Sequence, residues 1–210
     1  YRGPGPFSEP ESQNIRELVS GRQVTTLITN HTFSGLVLRP PGVAAQGTTV
    51  DEPTFKALGD SMAAENGYSS QYGYQLYDTT GTTEDWSYNA TAGLGFTFEI
   101  GHLGFHPPYE VTVQEWEGTT DYATGGGNRA AYYKAQENTA DPSKHSVLAG
   151  QAPTGSVLKL TKTVELPTSQ EGQTITDTLS SSMVVSDRKG NFVSGLTKDV
   201  KDTEERYARE

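Results

Sequence analysis

An α/β layer fold with a small β-rich tail is the architecture this sequence predicts, on three observations. Runs with helical and extended patterns follow one another in the order helix, strand, helix, long loop, strand up to residue 100. The extended runs are short and rich in β-branched or aromatic residues. Past Asp141-Pro142 the pattern changes to long, strictly alternating runs. The expected division is therefore 1–143 for the α/β part and 144–210 for the tail, read as sandwich-like.

Residues 8–19, SEPESQNIRELV, read as a helix. Ser8 is the expected N-cap, with Glu11 at capping-box spacing and Pro10 tolerated in the first turn. Ile15, Leu18 and Val19 form one apolar stripe, and Gly21 closes the helix. Residues 24–31, VTTLITNH, read as a strand ending in Asn-His. A second extended run, SGLVL, stops at Arg39-Pro40-Pro41-Gly42. Residues 51–66 predict a helix with Phe55, Leu58 and Met62 on one side, and 67–92 predict a Tyr/Gly-rich loop. Residues 125–142 read as a boundary segment holding a helix near 128–138. In the tail, VLKLTKTVEL at 157–166 alternates, TITDTL and SMVVS read as further strands, and Asp187–Gly190 reads as a turn. The charged end, KDVKDTEERYARE, reads as helical or frayed.

The run GLGFTFEIG at 93–101 raises a chemical question. In a strand over 95–100, Phe96, Phe98 and Ile100 share one face, and Thr97 and Glu99 share the other. Glu99 either meets water on a wet face or is buried for chemistry, in which case something must compensate its desolvation.

Composition narrows the functions available. A formal net charge of −10, with no basic cluster, disfavours nucleic acid and anionic membranes as partners. No run is long and apolar enough to suggest a membrane span. Cys is absent, which excludes disulfides, thiolate ligands and a cysteine nucleophile. The acidic, Thr/Ser/Gly/Tyr-rich composition leans towards a secreted, extracellular protein, and the first residue, Tyr1, suggests a mature or truncated product.

The histidines are His31, His102, His106 and His145. His102 and His106 have the spacing of a helical metal pair, but Gly104 and Pro107-Pro108 argue against a helix there. No Gly-x-Ser-x-Gly elbow and no phosphate-binding glycine loop is present.

Four segments carry a collective signal: FSEPE at 7–11, TNHTFSG at 29–35, YDTTGTTEDWSYN at 77–89 and GFTFEIG at 95–101. In order and spacing they resemble the carboxy-terminal half of zinc carboxypeptidases of the A/B/T type, in an exported actinobacterial branch. The resemblance implies part of a mixed-sheet α/β/α fold. It implies that His31 is a zinc ligand, that Glu99 is the general base, and that Tyr77 is a mobile tyrosine closing over substrate. It places Thr97 in the side-chain pocket and Glu84 at the specificity position. A carboxylate there favours a cationic terminal side chain, so the expected substrates are peptide or protein C-termini ending in Lys or Arg.

The sequence also departs from that family. No histidine is followed three residues later by glutamate, so the remaining Zn2+ ligands are expected upstream of this chain. Arg16, Arg22, Arg39 and Arg129 match no substrate-clamp position. The expectation is a fragment, inactive alone, that lacks the N-terminal half of its catalytic domain and leaves a sheet edge uncovered. Two other readings stay open: a non-catalytic binding or structural module, and a peptidoglycan peptide or amide hydrolase.

Overall fold

The computed structural model describes residues 3–22, 24–167 and 172–196. The charged C-terminal segment lies outside the described residues.

The α/β part is built on a four-stranded mixed sheet. Its strands are β1 (Thr26–His31), β2 (Leu36–Arg39), β3 (Ser69–Tyr72) and β4 (Leu94–Glu99), in the order β1-β4-β2-β3. β1 runs parallel to β4, and β2 runs antiparallel to β4 and parallel to β3. The helices are α1 (Pro10–Ser20), α2 (Glu52–Asn66), α3 (Thr83–Thr91), α4 (Tyr109–Glu117) and α5 (Gly127–Ala140).

Every residue of β4 is buried, because helices cover both faces of the sheet. Phe96 and Phe98 point to the α2 and α5 side. Phe96 meets Phe55 of α2 edge-on at 5.4 Å, and Phe98 stacks on Tyr132 of α5 at 5.5 Å. Gly95, Thr97 and Glu99 point the other way, towards α3. A Cβ on Gly95 would lie 2.7 Å from Glu84 Cα, so only glycine lets α3 approach this closely. The core, with Val37, Phe55, Met62, Phe96 and Phe98 fully buried, therefore sits directly behind the strand that carries Glu99.

Several expectations are corrected. Glu9, not Ser8, occupies the N-cap of α1, in an extended conformation and with no side-chain cap. Proline disfavours the α region for the residue before it, so Pro10 moves the boundary one residue on. Ser8 Oγ instead donates to Glu9 Oε1. The expected loop 67–92 contains both β3 and α3. Thr82 starts α3, its hydroxyl accepting from the Asp85 amide at 3.3 Å. The segment 125–142 is no mere boundary: Ala131 and Ala135 are small enough to seat α5 closely on α2. TITDTL and SMVVS belong to one continuous strand.

Among the described residues, the tail is two separate two-stranded ribbons. One pairs β5 (Ser146–Gln151) with β8 (Asn191–Leu196), and the other pairs β6 (Val157–Pro167) with β7 (Thr174–Val184). The β6–β7 ribbon packs on the α/β part through Val164 and Leu179 against Ala90, with Phe7 and Trp86 alongside. Arg16 of α1 holds Asp177 of β7 through both carboxylate oxygens.

Candidate active site

β1 and β4 are parallel neighbours, so their carboxyl ends fall side by side. In that register His31 lies opposite Glu99. Each is the last residue of its strand, where functional groups gather in open α/β sheets. His31 Nδ1 lies 3.9 Å from Glu99 Oε1, just beyond hydrogen-bond reach. The two side chains differ in exposure: that of His31 is 60% exposed and that of Glu99 only 9%. Burial pushes the Glu99 carboxyl up from its ordinary value. The His31 imidazole opposes the shift, and the Glu84 charge adds to it.

Thr97 lies two residues before Glu99 on the same face, buried, and its hydroxyl pairs with that of Thr29 at 2.8 Å. Glu84 enters from the first turn of α3 and is 7% exposed, so it does not point to solvent as a loop residue would. His31, Glu84, Thr97 and Glu99 therefore share one face of the sheet. Tyr77 stands apart. The residue is 62% exposed, and among the described residues no hydrogen bond joins it to the other four. Its loop is anchored by Asp78, which accepts from the Ala44 amide at 2.9 Å, and by the Thr79 amide, which donates to the Gly42 carbonyl at 2.8 Å.

Asp85 went unnoticed in the sequence, although Thr82-x-x-Asp85 has capping-box spacing. Its Oδ2 accepts from the Gly42 amide at 2.9 Å, and its Oδ1 is buried with no partner among the described residues. Burial raises its carboxyl to about 6, with the Glu84 charge adding; the Gly42 and Thr82 contacts act the other way. The segment 101–108 is not helical, so His102 and His106 do not form a helical metal pair.

A cavity of about 500 Å³ opens elsewhere, lined by Thr25, Leu58, Leu94, Lys134 and His145. It lies at the amino ends of β1 and β4, a strand's length from Glu99. At the carboxyl ends, by contrast, an imidazole and buried carboxylates converge.

Comparison with known proteins identifies the family. The zinc carboxypeptidase family model matches residues 1–122. The chain belongs to the zinc carboxypeptidase family. A zinc carboxypeptidase of Saccharothrix mutabilis subsp. capreolus is 33% identical over 111 residues, 47% of this chain and 25% of that protein. Carboxypeptidase A1 of Mus musculus is 29% identical over 111 residues, 50% of this chain and 26% of that protein. The carboxypeptidase A structure from Helicoverpa armigera shares the fold, with a TM-score of 0.50 at 17% identity, covering 65% of this chain and 36% of that one. The chain thus spans about a quarter of the length of these two curated relatives.

Membership in the zinc carboxypeptidase family implies Zn2+. Among the described residues no group of three or more His, Asp or Glu side chains could hold a metal ion. The residues present do not make a complete zinc site. His31 has the chemistry of one ligand, a largely exposed imidazole beside a buried carboxylate.

Proposed function

We propose that these residues belong to a secreted metallocarboxypeptidase that removes the C-terminal residue of peptides and proteins. The observation that carries this reading is the in-register pair of His31 and Glu99 at the carboxyl ends of adjacent parallel strands. His31 supplies one zinc ligand, and the other ligands come from residues outside this chain. The 210 residues alone are then inactive. Bound zinc would contribute Lewis acidity to the reaction. Glu99 acts as general base, taking a proton from the attacking water at a carboxylate oxygen and later delivering it to the leaving amine. Its burial supports that role, because a raised carboxyl holds a proton more readily at neutral pH.

Glu84 and Thr97 form the floor that receives the terminal side chain. Glu84 favours Lys or Arg there through a charge-assisted hydrogen bond. Tyr77, exposed on its anchored loop, closes over the bound C-terminus. The test is hydrolysis by the intact enzyme of matched peptides ending in Arg and in Leu. The expected result is a kcat/KM ratio of about tenfold or more in favour of Arg, lost in Glu84→Gln. Equal kcat/KM for the two peptides would overturn the assignment of Glu84.

A further inference from the structure

The turn that follows Glu99 is held from two sides. On one side the Ile100 amide donates to the His31 carbonyl at 2.9 Å, and Thr32 Oγ1 donates to the Ile100 carbonyl at 3.0 Å. On the other side the Gly101 amide turns inward and donates to the Tyr68 hydroxyl at 2.9 Å. Tyr68, just ahead of β3, is buried, and its oxygen is a three-way junction. It donates to Glu115 Oε2 of α4 at 2.6 Å and accepts from Asn128 Nδ2 of α5 at 3.1 Å, besides accepting from Gly101. Asn66 of α2 completes the set: its Nδ2 donates to Asn128 Oδ1 at 2.9 Å, and its Oδ1 accepts from the Tyr68 amide at 3.1 Å. The neighbouring Ser69 amide donates to the Gly35 carbonyl at 3.0 Å, so the reversal after β1 rests on the same support.

Gly101 is required for this geometry. Its φ is +82°, a conformation that residues with a Cβ rarely adopt. Burial, and then the Glu115 carboxylate, push the Tyr68 phenol up, so it stays protonated and remains a donor. The His102 ring covers Tyr68 edge-on at 5.6 Å.

We propose that Tyr68 is a positioning residue: through the Gly101 amide it fixes the end of β4 and so keeps Glu99 in register with His31. The proposal rests on Glu99 being the base of the reaction described above. Glu115 and Asn128 orient the phenol, and Tyr68 touches no reacting atom. Three groups distant in sequence, Gly101, Glu115 and Asn128, converge on the Tyr68 oxygen, and Gly101 lies two residues beyond Glu99. A core that only needed filling would place an apolar side chain there, without a polar network to satisfy.

The test compares Tyr68→Phe, Glu115→Leu and Glu115→Gln in the intact enzyme. It reads kcat and KM separately and follows hydrogen exchange at the Gly101 amide. Tyr68→Phe is expected to lower kcat on the order of ten- to a hundredfold with KM little changed, since a small misplacement of a reacting group has effects of that size. Exchange at Gly101 should accelerate by about tenfold or more, because its acceptor is gone. Glu115→Gln still presents a carbonyl oxygen to the phenol and should retain kcat, whereas Glu115→Leu should behave like Tyr68→Phe and stands in for it if that variant does not fold. Wild-type kcat in Tyr68→Phe, or unchanged Gly101 exchange, would overturn the proposal. A wild-type enzyme without zinc-dependent peptidase activity would instead sink the carboxypeptidase reading on which it rests.

Discussion

Strands β4 and β6 both alternate between apolar and polar residues, yet they live in different surroundings. β4 is buried at all its positions, between α3 on one side and α2 and α5 on the other. In the β6–β7 ribbon one face meets the α/β part, while Thr161, Thr163, Glu165, Thr176 and Thr178 on the other are exposed. Alternation reports which way side chains point, and the helices decide whether the polar face is wet. The buried carboxylates on the two elements show the consequence. Asp177 on β7 is answered by a two-pronged ion pair with Arg16. Glu99 has the His31 imidazole at 3.9 Å and keeps a carboxyl raised by burial. One arrangement neutralises a charge, and the other leaves a raised carboxyl, as the proposed general base requires.

Core truncation should separate the two regions most sharply. Phe96→Ala removes a fully buried ring from the α/β core, with an expected loss of about 4 kcal/mol in urea unfolding. Leu160→Ala, on a ribbon residue that is 44% exposed, should change stability by less than about 0.5 kcal/mol. Similar losses at both sites would contradict the contrast.

Asp177→Ala comes next. It leaves Arg16 partly buried without its partner, and losses of about 3 kcal/mol are usual when a buried pair is broken. Glu99→Ala should not destabilise the fold by a comparable amount, because no such pair is lost. Thermal unfolding of both variants side by side checks this.

Asp85 gives a smaller effect than either of those losses, and its size depends on pH. The folded carboxyl is raised to about 6, whereas an unfolded aspartate titrates near 4. Between those values the fold holds a proton that the unfolded chain has released. Stability from this group is therefore full below about pH 4, falls as pH rises to about 6, and stays reduced above it. Asp85→Asn, whose carbonyl still accepts from the Gly42 amide, should be more stable than wild type at pH 7 by on the order of 2 kcal/mol. That gain should vanish at pH 4, and a gain independent of pH would contradict the burial argument.

Much of this was legible in the sequence, for identifiable reasons. His31 and Glu99 could be read because each ends a strand-patterned run inside a specific motif. Their register pairing could not, since β1 and β4 are neighbours in the sheet but are separated in sequence by β2, α2, β3 and α3. Helix α3 was hidden because Gly81 and the four threonines flanking it read as loop, although Thr82 is a good cap. The cap of α1 was misplaced by one residue because Ser8 and Glu11 have the right spacing, but Pro10 dictates where the helix begins. Helix α4 gave no sign because Val111, Thr112 and Val113 are a β-branched run that does not favour a helix. The Tyr68 junction was unreadable in principle: its partners come from separate elements and share no local pattern.

The most direct measurement is zinc-dependent hydrolysis of a peptide C-terminus by the intact enzyme, wild type against Glu99→Gln, with zinc content determined in parallel. The account predicts a fall in kcat of at least about a hundredfold at unchanged zinc content, as for loss of a general base. A Glu99→Gln enzyme that binds zinc and retains wild-type kcat would contradict it.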